Sequence, residues 1–391
     1  MQRRWDQARR LIRDNGVTYN VYGDPRGMHR PWELDPVPLI LRSTEFARLA
    51  AGLTQRARVL DAIVHDLHGE QRLLTRRLLP PELVLGNPGF LRPLVGTLAP
   101  GSRAIELLAT DVARRDDGGF VALGDRVQSP SGAGYAVENR IVVSRVLPGP
   151  FRELRVQRVA GWFRTLRDSL RELAPRGREQ PRIVVLTPGP HNETYFEHSY
   201  LARYLGFSLV EGADLTVRDL KVWVKTLGGL ERVDVILRRL DDAFADPLAL
   251  RADSTLGVAG LSEAVRAGNV AVANALGAGV VESPALLAFL PRLCRELLGE
   301  DLALPSVPTT WCGDPAALPG VLERLPSLVI KPAFPGAVAF EPVFAGRVGK
   351  AERAGLAERI RRSPERFVAQ EQVSLSTAPV WNGDRLEPRH V

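Results

Sequence analysis

The chain has 391 residues, of which 45% are hydrophobic and 25% are charged, a composition typical of a folded globular protein with two or three domains. The sequence contains no run of about 18 apolar residues, so it predicts no membrane span. The N-terminus lacks the apolar core of an export signal. Two cysteines are too few for a disulfide framework or a zinc site. We therefore expect a cytoplasmic protein without a membrane partner. The net charge is +7, but the arginines are spread among aspartates and glutamates along the chain, so an anionic small molecule is favoured over nucleic acid as the binding partner.

The first predicted segment, residues 1–148, is mainly helical up to about residue 80. Apolar residues spaced three and four apart predict a helix over residues 44–68. His65 and His68 lie three residues apart on that helix. Because no third ligand accompanies them, an ordinary histidine pair at the edge of solvent is a simpler interpretation than a metal site.

A β-hairpin is predicted next, because the strand-like stretches 104–113 and 120–124 flank a glycine-rich turn. Asp111 and Asp125 are equidistant from Gly118, so a three-residue turn places their carboxylates opposite each other on one face. Facing carboxylates repel unless a cation lies between them, and hard oxygen ligands suit Mg²⁺. Two ordinary strand-end aspartates explain the pattern equally well at this point.

Three consecutive polar residues extend this candidate metal site. Glu138 adds a third carboxylate, Asn139 adds an amide oxygen, and Arg140 adds a guanidinium that is suited to an anion. All three are candidate site residues.

Residues 149–310 alternate between short apolar strands and helices, which predicts a covered, mostly parallel sheet. The loops contain no GxGxxG sequence, so a classical dinucleotide site is not expected. The predicted strands are 182–186, 208–211, 222–225, 233–237 and 270–273, and the predicted helices are 151–173, 193–205, 261–267 and 284–298.

Arg238 and Arg239 follow the predicted strand 233–237 and precede Asp241 and Asp242. Ligands of open α/β sheets bind at the carboxyl ends of the strands, and the guanidinium fork suits a carboxylate or a phosphate. Since successive strand residues face opposite ways, we expect one arginine to face a cleft and the other to pair with an aspartate or solvent. A surface cluster of salt bridges is the alternative.

Two further strand-end loops carry candidate substrate residues. Asn192 and Glu193 follow a strand and open a helix, where Asn192 is a plausible N-cap and the helix start is a possible anion site. Capping alone explains these residues equally well. Asn274 begins a loop in which glycine exposes the backbone, which is a weaker indication.

The third segment, residues 311–391, contains Lys331 at the end of an apolar strand that runs into a loop with Gly336. Only four of the 52 basic residues are lysines, so a lysine here indicates a need for a compact charge that can reach a phosphate oxygen. A snorkelling strand lysine is the alternative. About forty residues later, an apolar strand leads into Gln370, Glu371 and Gln372, which could present backbone groups to a purine.

Taken together, the strand lysine, the loop and the Gln-Glu segment resemble the nucleotide-binding half of an ATP-grasp ligase, and the hairpin resembles its metal-binding half. The inverted order of the halves resembles the circularly permuted ATP-grasp type 2 family, which is related to glutathionylspermidine synthase. Further stretches that resemble this family are residues 15–23, 30–38, 86–90, 130–135, 187–198, 233–241 and 369–381.

The resemblance implies a division of the chain at about residues 148 and 310. The first segment would carry the metal-binding half, the second a Rossmann-like pre-ATP-grasp domain, and the third the nucleotide-binding half. Family members continue beyond the position of Val391, so we expect the third segment to be incomplete, the hairpin edges to be unpaired and the activity to be poor.

The resemblance also implies an activity, the ADP-forming ligation of a carboxylate to an amine through an acyl phosphate, with ATP and Mg²⁺ as cofactors. Lys331, Gly336 and the Gln370–Gln372 segment would bind ATP, and Arg140 or the Arg238–Arg239 pair would steady the acyl phosphate. The substrates would be small-molecule or peptide carboxylates and amines. A catalytically silent nucleotide-binding scaffold is the alternative.

Overall fold

The computed structural model describes residues 1–20, 29–99, 101–175, 179–334, 336 and 340–391. Parts of two sequence motifs, residues 21–23 and 337–339, lie outside the described residues. Within the described chain, no helix combines the length and the apolar character that crossing a membrane requires.

The described chain is a mixture of helices and strands. The α-helices are α1 Gln2–Asp14, α2 Ser43–Leu67, α3 Arg72–Thr75, α4 Pro81–Leu85, α5 Ala133–Val146, α6 Pro148–Glu153, α7 Ala160–Glu172, α8 Tyr195–Leu205, α9 Leu261–Arg266, α10 Leu290–Leu298, α11 Leu318–Glu323 and α12 Lys350–Arg362. The strands are β1 Thr18–Asn20, β2 His29–Pro31, β3 Ala109–Arg114, β4 Phe120–Arg126, β5 Ile183–Leu186, β6 Ser208–Val210, β7 Leu215–Arg218, β8 Lys221–Thr226, β9 Gly229–Val233, β10 Val235–Arg238, β11 Ala271–Ala273, β12 Thr309–Trp311, β13 Leu328–Pro332, β14 Val343–Phe344, β15 Phe367–Glu371, β16 Thr377–Trp381 and β17 Leu386–His390.

The chain forms two compact units, and each is assembled from stretches that are far apart in the sequence. Unit 1 comprises residues 1–41, 129–274 and 377–390, and unit 2 comprises residues 42–128, 275–376 and 391. These discontinuous units differ from the three consecutive segments expected from the sequence, with borders at 148 and 310. The difference arises because contacts in the folded chain, rather than neighbourhood in the sequence, define each unit.

A parallel sheet with the strand order β11-β10-β5-β6 lies at the centre of unit 1. All residues of β5 and β10 are buried, in agreement with the continuous apolar runs that predicted a covered sheet. From β5 the chain first adds β6 on one side and later β10 on the other. The strand order therefore reverses between β5 and β10, and their carboxyl ends form the topological switch point.

The long helix predicted over residues 151–173 is wrong, because two helices occupy this stretch. Helix α6 ends at Glu153 and α7 begins at Ala160. Between them Arg155 has a φ of +48°, a left-handed conformation that a continuing α-helix does not contain. The pattern of apolar residues in α7 is nevertheless that of a helix with one buried side, since Phe163, Leu166 and Leu170 are buried.

Unit 2 contains an antiparallel sheet with the order β12-β15-β13-β14. One face of this sheet packs into a core with α11 and α12 through Leu328, Ile330, Phe367 and Ala369. Since side chains alternate along a strand, Lys331 lies on the other face of β13. The 25-residue helix α2, which the spacing of apolar residues predicted, supplies the centre of a second core in this unit.

The edges of the β3–β4 hairpin are each bridged to a later segment of unit 2. Arg115 forms an antiparallel bridge with Leu375, and Ala122 forms a parallel bridge with Ser306. The Ala122 N–H donates to the Pro305 carbonyl at 2.9 Å. In the described chain the hairpin is a two-stranded sheet, as expected, and these two isolated bridges are what links its edges to later segments.

Strands β16 and β17 form a hairpin where the sequence had indicated only turns. Pro379 and Pro388 lie opposite each other in the ribbon, and the turn contains Asn382 and Gly383, the latter with a φ of +103°. A two-stranded ribbon leaves alternate N–H groups without a ladder partner, so it tolerates proline at such positions. The turn at Asn382 is confirmed, whereas the assignment of the two prolines to turns is wrong.

Candidate functional site

The candidate nucleotide site of unit 2 is centred on Lys331. This half-buried side chain projects from β13, and Val368 is its neighbour on β15. Burial lowers the pKa of the Lys331 ammonium, and the Asp111 carboxylate partly opposes that shift. The Asp111 carboxylate therefore influences the charge of Lys331 within unit 2, although the two residues are far apart in the sequence. The sequence predicted that each residue belongs to a ligand site.

Asp111 lies on an open part of the hairpin. Its side chain is 52% exposed, and its Oδ2 accepts a hydrogen bond from Arg126 Nη2 at 2.5 Å. An exposed carboxylate beside one arginine and one lysine remains accessible to a ligand or an ion.

Asp125 has a different environment from the one predicted. The residue opposite Asp125 is Thr110, and the residue opposite Asp111 is Gly124. A bulge between Asp111 and Val112 leaves Leu123 without an opposite residue and shifts the register by one position. The two aspartates therefore lie on opposite faces of the hairpin. The predicted pairing of these two carboxylates around one cation is wrong.

The Asp125 carboxylate is instead part of a buried ion pair. Arg56 Nε lies 2.7 and 2.8 Å from its two oxygens, and Arg56 Nη2 lies 2.7 Å from Oδ2. The Thr110 hydroxyl donates to Oδ1 at 2.8 Å. Arg56 was not among the residues predicted to be functional. Its spacing from Val59 and Leu60 nevertheless places it on the apolar side of α2, where a charged side chain requires a partner.

Glu138 and Asn139 lie on α5 in unit 1, and both side chains have partners there. Glu138 Oε2 accepts from Asn15 Nδ2, and Asn139 Oδ1 accepts from Trp32 Nε1, each at 2.9 Å. In the part of the chain that the structure describes, no three His, Cys, Asp or Glu side chains form a group suited to a metal ion. Within unit 2, Asp111 and Asp125 do not share a metal site, and within unit 1 the Glu138 and Asn139 side chains are bound by Asn15 and Trp32.

The Gln370–Gln372 segment lies at the end of the neighbouring strand β15, where Gln370 and Glu371 are opposite Val329 and Leu328 rather than Lys331. Gln370 shares the face of Lys331, is buried, and donates from Nε2 to the Thr309 hydroxyl at 3.0 Å. Glu371 points to the other face and accepts from Arg324 at 3.3 Å. A cavity of about 590 Å³ touches Glu371 and Gln372 at this end of the sheet.

Gly336 is the one described residue between positions 334 and 340. It is exposed and has a φ of +73°, a conformation that glycine adopts without strain. The role of Gly336 in binding ATP stays a prediction.

Arg238 and Arg239 are both fully buried at the switch point of unit 1, and neither faces an open cleft. Arg238 forms an ion pair with Asp242, and its Nε donates to the Asn274 carbonyl at 2.8 Å. Arg239 Nη2 donates to the Pro130 carbonyl at 2.7 Å. The expectation that one arginine faces a cleft is wrong, because the loop before α5 covers the strand ends.

Two further buried side chains, Glu197 and His198, lie near Arg239. They were not among the predicted site residues, although both lie in the motif at residues 187–198. The Glu197 carboxylate lies 3.6 Å from Arg239 and also accepts from the Gly132 N–H at 2.7 Å. Burial raises the pKa of Glu197, against the opposing effect of Arg239, and burial lowers the pKa of His198 well below 6.5. These groups hold the covering loop in place and keep water away from the switch point.

Arg140 has a local role in unit 1. Its Nη1 donates to the Gln157 carbonyl at 2.5 Å and its Nη2 to the Val156 carbonyl at 3.2 Å, while the guanidinium lies 4.7 Å from the centre of the Phe151 ring. Its donors therefore hold the segment between α6 and α7. This geometry does not present Arg140 to an acyl phosphate.

The candidate substrate residues of unit 1 are also engaged by neighbouring groups. Asn192 Oδ1 accepts from the Thr194 N–H at 3.0 Å, and Glu193 accepts from the Tyr19 hydroxyl at 3.2 Å. The assignment of Asn192 as the N-cap is wrong, since α8 begins at Tyr195. Asn274 is buried and follows a cis peptide bond.

Three comparisons relate the chain to known proteins. The model of the circularly permuted ATP-grasp type 2 family matches residues 38–391. An uncharacterized protein of Mycobacterium tuberculosis is 43% identical over 377 residues, which is 94% of this chain and 42% of that relative. Uncharacterized proteins of Mycobacterium leprae and Synechocystis are each 39% identical, over 100% and 96% of this chain and 69% and 78% of theirs.

A solved structure has a similar fold at low sequence identity. It is a glutathione synthetase-like effector from Globodera pallida in its apo form, with a TM-score of 0.62 and 12% identity, covering 97% of this chain and 83% of that one. The chain spans only about two fifths of the length of the first mycobacterial relative.

Proposed function

This chain belongs to the circularly permuted ATP-grasp type 2 family, and on that premise we propose that it acts in the ATP-dependent ligation of a carboxylate to an amine. The observation that carries the proposal is the neighbourhood of Lys331 and Asp111 in unit 2, with Gln370 on the same face of the sheet.

The proposed reaction has two steps. A substrate carboxylate oxygen attacks the γ-phosphorus of ATP, and ADP leaves with the bond electrons, so that an acyl phosphate forms. The amine then attacks the acyl carbon, phosphate leaves, and the amine loses a proton to give the amide. Both steps move negative charge between oxygens, so fixed positive charge is the main catalytic requirement.

Lys331 is proposed to supply positive charge to the phosphates of ATP. Its lowered pKa reflects an ammonium that is short of compensating contacts, and a phosphate oxygen would replace the water lost on burial. The Gln370–Gln372 segment is proposed to contact the purine through its backbone. When bound, Mg²⁺ would neutralise phosphate charge, but only Asp111 among the predicted ligands is exposed, and no step is assigned to the ion.

A nucleotide-binding scaffold without ligase activity is the second candidate. It is favoured by the contacts of Arg140 and Arg238, whose guanidinium groups are bound by backbone carbonyls and, for Arg238, by Asp242. The two candidates differ in one measurable property, the formation of ADP that depends on an added carboxylate and amine.

The test is a pair of assays on the protein and on the Lys331→Met variant. We expect Lys331→Met to weaken ATP binding by about 1.5–3 kcal/mol, the contribution of a hydrogen bond to a charged group. The melting temperature should be nearly unchanged, since the half-buried ammonium gains little from its surroundings. The Lys350→Met variant removes an exposed lysine at the start of α12 and serves as the control.

The second assay measures ADP release over a panel of amino acids and short peptides. Release that requires both a carboxylate and an amine, and that Lys331→Met reduces, supports the ligase. ATP binding without such release supports the scaffold. A large loss of stability in Lys331→Met with ATP binding retained would show that Lys331 is structural.

A further inference from the structure

Unit 1 carries a surface cleft that neither the nucleotide site nor the switch point uses. The cleft has a volume of about 330 Å³ and lies where α7 meets the end of α8. Phe163, Tyr204 and Leu205 provide its apolar wall, and Arg158, Arg164 and Arg167 provide its basic rim. We name it the arginine–aromatic cleft.

The wall of this cleft combines the buried ring of Phe163 with the exposed ring of Tyr204. The rings of Phe163 and Tyr204 lie 4.7 Å apart, and Trp162 packs edge-on against Phe163 at 4.8 Å. Tyr204 is 46% exposed and Trp162 is 43% exposed, although large aromatic side chains are mostly buried in folded proteins. Exposed tyrosine and tryptophan side chains are enriched at interfaces that bind other proteins.

The charge of the rim is not neutralised by the cleft itself. None of the residues that line the cleft is acidic. Arg167 has the adjacent Asp168 at 3.3 Å, whereas Arg158 and Arg164 are exposed and make no ion pair with any described residue. The rim thus presents guanidinium groups that can form charge-assisted hydrogen bonds with added carboxylates.

We propose that the arginine–aromatic cleft docks an acidic peptide segment. One apolar or aromatic side chain of the segment would enter the cleft and pack on Phe163 and Tyr204, and flanking carboxylates would pair with Arg158 and Arg164. Size supports a peptide, since the volume is at the lower end of the range of about 300–1,000 Å³ for small-molecule sites and suits one or two side chains. A nucleic-acid strand instead requires a basic groove with successive stacking rings, and this cleft is a single depression.

Two substitutions test the cleft without disturbing the core. Arg164→Glu reverses one charge of the rim at an exposed position. Gly161→Leu fills the cleft, because a Cβ at Gly161 meets no atom within 4 Å and its backbone does not have a positive φ. Arg171→Glu reverses an exposed charge on the same helix outside the cleft and is the matched control.

The probe is a fluorescein-labelled peptide with glutamates on both sides of one phenylalanine, measured by anisotropy against the whole protein. We expect saturable binding that weakens with salt and falls by about tenfold in Arg164→Glu, where like charges meet. Gly161→Leu should weaken binding to a similar extent, and Arg171→Glu should change it by less than about twofold. Melting curves of all variants should coincide with that of the unmodified protein.

Three results would overturn the proposal. One is that the labelled peptide does not bind, or that it binds no more tightly than control peptides. In the control peptides, lysines replace the glutamates or serine replaces the phenylalanine. Another is binding that Gly161→Leu leaves unchanged, which would place the peptide elsewhere. The third is tighter binding of an oligothymidylate that Arg164→Glu abolishes, which would assign the cleft to a nucleic acid.

Discussion

The two faces of the β3–β4 hairpin place similar side chains in opposite environments. On one face Asp125 is buried and bound by Arg56 and Thr110, whereas on the other Asp111 is 52% exposed beside Arg126 and near Lys331. A shift of one residue in the register produces this difference. The number and burial of a carboxylate's partners, rather than its residue type, therefore separate a structural carboxylate from one that is available to a ligand.

The same contrast holds between the cations of the two units. Arg239 in unit 1 is fully buried and donates to loop oxygens, whereas Lys331 in unit 2 is half-buried and is opposed by Asp111. Among the described residues only Nη2 of Arg239 has hydrogen-bond acceptors, since Nε and Nη1 are buried without one, so the two cations differ in burial rather than in the number of donors engaged. Three predictions test this contrast.

The largest effect is expected for the two aspartates of the hairpin. Asp125→Ala leaves the Arg56 guanidinium buried without its carboxylate, so the free energy of unfolding should fall by about 3–5 kcal/mol. Asp111→Ala changes an exposed residue and should alter it by less than about 0.5 kcal/mol. Denaturant unfolding of both variants measures the difference. Equal losses would show that the two faces of the hairpin are not distinct.

A smaller loss is expected at the switch point of unit 1. Arg239→Met should lower the free energy of unfolding by about 2–3 kcal/mol, because the loop carbonyls lose their donor and Glu197 loses its counter-charge. The loss is limited because burial raises the pKa of Glu197, which can take up a proton. Adding Glu197→Gln should recover part of the stability at pH 8. If the loss in the free energy of unfolding of the double variant equals the sum of the losses of the two single variants, the two side chains are not coupled.

The smallest effect is the pH dependence of ATP binding. Burial lowers the pKa of Lys331 below 10.5. The ammonium should therefore lose its proton as the pH rises through that lowered pKa, and the affinity for ATP should fall with the loss of the charge. Asp111→Asn removes the carboxylate that raises this pKa, so the loss should begin at a lower pH. Stability changes in the opposite sense, since between the folded and unfolded pKa values the unfolded chain binds more protons and stability rises with pH. Titrations of ATP binding from pH 7 to 10 measure the shift.

Local patterns in the sequence predicted the elements that depend on local spacing. The apolar spacing in α2, the buried runs of β5 and β10, and the strand that carries Lys331 all correspond to observed elements. The family was also recognised, because its motifs extend over nearly the whole chain.

The errors arose where distant residues determine the outcome. The bulge at Leu123 shifts the hairpin register by one position, which equal spacing from Gly118 did not indicate. Arg239 is buried by carbonyls of residues 129 and 130, more than a hundred positions earlier in the chain.

The hairpin of β16 and β17 has a consequence for co-translational folding. It belongs to unit 1, where the Trp381 N–H donates to the Asp35 carboxylate at 2.9 Å and Gln2 lies within hydrogen-bonding distance of the Trp381 indole. Gln2 and Asp35 can therefore make these contacts only after more than three hundred further residues have been translated. Long-range closure of this kind slows folding, so nascent chains paused before Thr377 should depend on chaperones to protect an unfinished unit.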